Sequence, residues 1–132
     1  MSHDISADHD ARVLAAVTSG ADSMRAVAVH AKLPDLSAAA ALYRMRDRIV
    51  YYDRGYHLLA TVLLGLLTSG CASTEWLALA VSREPATVRA RLAEMREMVR
   101  DEGAFWRLVP AADLAAAMAS RARGFASLHE GR

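Results

Sequence analysis

The chain has 132 residues, of which 54% are hydrophobic and 23% charged, and its sixteen basic and fifteen acidic side chains leave a net charge of +1. That balance describes a globular chain and excludes a disordered one, and it provides no general basic surface. The single cysteine, Cys71, excludes an internal disulfide and a cysteine-based zinc cluster and fits a reducing cytoplasm. No secretory signal is visible. The longest apolar run, residues 58–67, is interrupted by Thr61 and Gly65 and is too short to span a bilayer, so no membrane partner is expected.

In chain order, residues 1–10 read as a polar N-terminal tail, with Asp8 or Asp10 placed to cap the first helix. His3 and His9 in this acidic stretch read as solvated rather than as metal ligands. Residues 11–19 form an apolar helix that stops at Gly20. Ser23 caps a second helix whose Met24, Val27, Ala28 and Ala31 share one face. Leu33, Pro34 and Asp35 break it. A third helix is predicted over residues 36–48, with Ala38, Leu42, Met45 and Ile49 inward. Residues 50–58 read as a hairpin turning at Asp53, Arg54 and Gly55.

A shift of fifty residues, with no gap, brings much of this segment into register with residues 61–110. Thr18-Ser19-Gly20 meets Thr68-Ser69-Gly70, and Ser23 meets Ser73. Leu42, Met45, Arg46 and Ile49 meet Leu92, Met95, Arg96 and Val99, while Tyr56 and Leu58 meet Trp106 and Leu108. The matched positions are the predicted core and turns, and such self-similarity signals a repeated unit. The second copy is the clearer one. Val88, Leu92, Met95 and Val99 lie on one helical face after a Glu84-Pro85 start. Asp101-Glu102-Gly103 comes next as turn chemistry, and Phe105, Trp106 and Leu108 form a β-prone run ending at Pro110. Residues 111–132 carry Leu114, Ala117, Met118 and Arg121 on one face and read as a C-terminal helix and tail.

The stretch PATVRARLAEMREMVRDEGAFWRL resembles the second half of a winged helix-turn-helix of the small bacterial regulator type, with a recognition helix followed by a wing. The resemblance covers residues 61–110 and, more faintly, 11–60. It implies a mainly α fold with short β-hairpins: two tandem winged-helix units of period about fifty residues, plus the C-terminal helix. Units this small are marginal alone, so two lobes packed into one body are expected. In that family the recognition helix enters the major groove of DNA. Carried onto this sequence, the resemblance implies base-edge or phosphate roles for Thr87, Arg89 and Arg91, which read as lying off the apolar stripe, and a phosphate contact for Arg83.

The two copies differ in chemistry. Residues 11–60 carry seven basic and four acidic groups, whereas residues 61–110 carry six of each. The first recognition helix opens with Ser37 and four alanines, which touch a thymine methyl but make no bidentate contact to a base. Its basic residues Arg44, Arg46 and Arg48 come late, and Arg54 sits at the tip of the first wing. Ser37, Arg44, Arg48 and Arg54 are therefore expected to supply the first unit's contacts to duplex DNA. The second wing tip is acidic, so either that wing stays off the DNA or the second unit is not the one that binds.

No catalytic constellation stands out, and no cofactor is implied. There is no Gly-rich phosphate loop and no HExxH, and Cys71 and His30 read as buried or boundary residues. The leading expectation is a cytoplasmic, sequence-specific transcriptional regulator of double-stranded DNA. It would read the major groove with the second unit and dimerise through the first unit or the C-terminal helix. The alternatives are a winged-helix protein-interaction module without DNA binding, and a plasmid or phage replication or partition protein.

Overall fold

A computed structural model describes residues 2–110, and the expected C-terminal helix lies outside them. Among these residues the chain is mainly helical and runs three helices and a hairpin, twice. Helices α1 (Ser2–Thr18), α2 (Met24–Ala31) and α3 (Asp35–Arg44) lead to strands β1 (Ile49–Tyr52) and β2 (Gly55–Leu58). Helices α4 (Leu59–Leu67), α5 (Thr74–Val81) and α6 (Pro85–Ala93) then lead to β3 (Val99–Asp101) and β4 (Trp106–Leu108). Each hairpin is a separate antiparallel pair, with Ile49 opposite Leu58 and Val99 opposite Leu108.

The fifty-residue correspondence extends from side chains to backbone hydrogen bonds. Ser23 Oγ accepts from the Ala26 N–H at 3.0 Å, and Ser73 Oγ accepts from the Trp76 N–H at 3.1 Å. Each serine thereby satisfies a donor that the helix itself leaves without a partner. The helices they open end alike. Lys32 and Ser82 adopt the left-handed conformation at φ 58° and 57°, and the N–H groups of Leu33 and Arg83 return to Ala28 and Ala78. Tyr56 N–H donates to the Asp22 carbonyl at 2.8 Å, and Trp106 N–H donates to the Ala72 carbonyl at 2.8 Å. In both copies a bond from the segment before the second helix thus fixes the hairpin's second strand.

Burial tracks the predicted faces. One core gathers Val13, Val17, Val27, Ala28, Ala38, Leu42, Met45 and Ile49, and a second gathers Leu59, Leu63, Leu67, Leu77, Val88, Leu92, Val99 and Trp106. Within α4, Leu59, Leu63 and Leu67 recur every four residues, so all three meet the second core. Trp106 is anchored twice: its ring packs in that core, and its indole N–H donates to Thr74 Oγ1 at 2.9 Å.

The first hairpin joins the cores. Successive strand residues face opposite sides. Ile49 therefore enters the first core, while Val50, 1% exposed, enters the second, with Tyr52 packed beside it. A guanidinium adds to this seam. Arg83 Nε donates to the Arg46 carbonyl at 2.6 Å and Nη2 to the Ile49 carbonyl at 3.2 Å.

Several expectations change. Residues 2–10 are the first turns of α1, not a tail. Asp8 pairs with Arg12 at 3.1 Å one turn on, and Asp10 pairs with Arg44 of α3, so the acids stabilise helix and packing instead of capping. The third helix of each copy is shorter than predicted. It ends at Arg44 or Ala93, and successive turns carry the chain to the strand, with Met45 and Met95 accepting the N–H groups of Ile49 and Val99. The first hairpin turns on Asp53 and Arg54 alone, at φ 50° and 67°. Gly55 belongs to β2, and a Cβ there would meet Asp22 Cβ at 3.1 Å, so close approach of two segments accounts for this glycine. His30 and Cys71 are exposed.

Candidate nucleic-acid interface

Helix α6 opens at Glu84 with Pro85 in its first turn, where a missing N–H costs nothing. Val88 and Leu92 hold it on the core, and the opposite side presents Ala86, Arg89, Ala90 and Ala93. That outer face is narrow and smooth, with Arg89 as its one cation. Arg89 is exposed and makes no ion pair or side-chain hydrogen bond with another described residue. Thr87 is half-buried at the edge of the same turn.

Arg91 does not share this face. It lies three residues after Val88 and one before Leu92, which is the core-facing spacing, and the equivalent residue in α3 is the fully buried Ala41. Its side chain is 13% exposed and pairs with Glu94 at 2.9 Å, and its Nε has no hydrogen-bond partner among the described residues. The sequence expectation that Arg91 lies off the apolar stripe is corrected by this spacing.

Arg83 is likewise occupied. All three guanidinium nitrogens donate to backbone carbonyls: Nε to Arg46, Nη2 to Ile49 and Nη1 to Ser82. Burial, and then the neighbouring Arg46 charge, lower its pKa from the ordinary arginine value. Arg83 acts as a clip between the copies instead of reaching out for phosphate. The clip also sets the loop between α3 and β1, which carries Arg48, against the entry to α6.

In the first copy, Ser37 is half-buried in the opening turn of α3. Arg44 holds Asp10 with Nη2 at 2.7 Å and Nε at 3.0 Å, tying α3 to α1. Arg48 and Arg54 are exposed, and their side chains engage no other described residue. Lys32, which sequence reasoning passed over, is a further exposed cation at the turn between α2 and α3. Its left-handed cap position carries neither the glycine nor the asparagine that marks such a cap in a sequence.

The second hairpin keeps its acids occupied. Asp101 Oδ1 accepts from the Gly103 N–H at 2.9 Å, and Glu102 pairs with Arg107 at 2.9 Å. These acids shape a turn, and the tip presents no cation.

No family model, curated protein or solved structure matches this chain. Among the described residues no helix is long and apolar enough to cross a membrane.

Proposed function

We propose that this chain is a tandem pair of winged-helix units that binds double-stranded DNA as a small transcriptional regulator, with α6 lying in the major groove. The outer face of α6 carries the reading. Alanines at 86, 90 and 93 leave room for close approach to base edges and thymine methyls, and Arg89 supplies a fork that matches guanine. Thr87 borders that surface. Arg48 and Arg54 in the first unit, with Lys32, supply phosphate contacts. Arg83, Arg91 and Arg44 hold the structure that presents them.

The test is fluorescence anisotropy on a duplex pool across a salt series, followed by selection of the preferred site. Log affinity falls linearly with log salt, and Arg54→Ala reduces the slope by about 0.9. Arg89→Ala weakens the selected site roughly 5- to 150-fold while leaving nonspecific binding less affected. Absence of duplex binding at low salt sinks the proposal.

One observation favours a protein-interaction module instead. Trp76, 52% exposed, and Leu79, 82% exposed, lie one turn apart on the outer side of α5. Apolar side chains of this size at one surface suit a protein partner. In that reading, Trp76→Ala abolishes a partner interaction that Arg89→Ala leaves intact.

A further inference from the structure

Where the two copies meet, an open groove of about 620 Å³ runs between α3, the first hairpin and the loop entering α6. Leu42 and Ile49 lie at its base, and Tyr43, Tyr51, Tyr56, Arg46 and Arg83 supply its chemistry. Two arginines line it with no aspartate or glutamate, in a chain that is otherwise nearly neutral. The groove therefore favours an anion.

Its walls favour a planar group. The Arg46 guanidinium lies over the Tyr43 ring at 4.4 Å from the centroid, and Arg46 Nη1 donates to the Tyr43 carbonyl at 3.0 Å. The Arg46 charge is thereby held over an aromatic ring, and exposed rings beside a guanidinium offer surfaces on which a base can stack. Tyr51 stands edge-on to Tyr56, with centroids 5.0 Å apart and planes at 75°. Tyr43 and Tyr51 remain 68% and 62% exposed, a placement the packing of the core does not require.

The repeat separates what the fold needs from what this groove adds. Core and turn positions recur fifty residues on, but Tyr43 and Tyr51 correspond to Ala93 and Asp101. The second copy builds its hairpin without either ring. The two exposed tyrosines are thus an addition to the first copy.

We infer that this groove binds a nucleobase bearing a phosphate, with Tyr51 and the Arg46–Tyr43 pair meeting the base and the remaining N–H groups of Arg46 meeting the phosphate. The ligand is either a free nucleotide or an unpaired nucleotide within a single strand. The site is separate from the outer face of α6, so it stands whether or not α6 reads duplex DNA.

The experiment uses the full chain. Binding is measured by calorimetry with adenosine monophosphate and by anisotropy with a labelled single strand of about twelve nucleotides, within the usual range of single-strand site sizes. The variants are Tyr43→Ala, Tyr51→Ala, Tyr51→Phe and Arg89→Ala, each checked for fold by circular dichroism. Tyr51→Ala weakens binding roughly 5- to 150-fold, as expected for loss of one stacked base, whereas Tyr51→Phe stays close to wild type. Arg89→Ala changes duplex binding alone. Binding of both probes identifies a nucleotide site, and binding of the single strand alone identifies a strand site; either supports the inference when the alanine variants weaken it. Failure of both probes to bind overturns it, as does single-strand binding lost with Arg89→Ala but kept with Tyr43→Ala and Tyr51→Ala.

Discussion

Arg91 shows how a charged side chain can occupy a core-facing position. Its stem fills the place that Ala41 fills in the first copy, while the head reaches Glu94 and leaves Nε without a partner among the described residues. A buried donor in this state costs about 1–3 kcal/mol, so a methionine that keeps the stem and removes the charge is favoured. Arg91→Met is expected to leave the urea midpoint unchanged or raise it, with duplex affinity unaltered. A tenfold loss of duplex affinity at unchanged stability would restore Arg91 as a DNA contact. This residue was open to misreading because residue type and spacing disagree: arginine suggests solvent, whereas Val88, Arg91 and Leu92 at i, i+3 and i+4 indicate the buried face. For Arg83 no such spacing exists. Its partners, the carbonyls of Arg46 and Ile49, lie more than thirty residues away, and only the folded seam brings them within reach.

At the level of elements, most of the fold is legible because it rests on local chemistry. Ser23 and Ser73 start helices and Pro85 suits a first turn, whereas Ile49, read as part of a helix face, is instead the first residue of β1. The opening of α1 was not legible, since residues 2–10 lack apolar periodicity and one of their stabilising acids pairs with Arg44 far along the chain. The tight turn of the first hairpin is a further case. Asp53 and Arg54 both take positive φ, the type I′ geometry that matches strand twist but favours Asn-Gly. A non-glycine residue there costs about 1–2 kcal/mol. An arginine retained against that cost fits a functional demand at the tip. Arg54→Gly is accordingly expected to raise stability by about 1 kcal/mol in chemical denaturation, and on the duplex reading to weaken DNA binding in the same preparation. Lower stability would mean that the arginine side chain itself holds the hairpin.

At the level of the molecule, the first hairpin decides whether the copies behave as two bodies or one. Ile49 and Val50 are adjacent in the chain and buried in different cores, and the Arg83 clip closes the same seam. Neither fifty-residue copy has enough interior to be robust alone, so sharing a strand lets each stabilise the other. Denaturation should then be a single transition. The chain supplies its own probes for this. Both tryptophans, Trp76 and Trp106, lie in the second copy, so their fluorescence reports that half, while far-ultraviolet circular dichroism reports helices of both. The two signals are expected to coincide in wild type. Val50→Ala should lower the common stability by about 1–3 kcal/mol without separating the curves, because the lost methyl groups face the second core from a strand rooted in the first. Separate transitions in wild type would show that the seam transmits little, and that each copy supports itself.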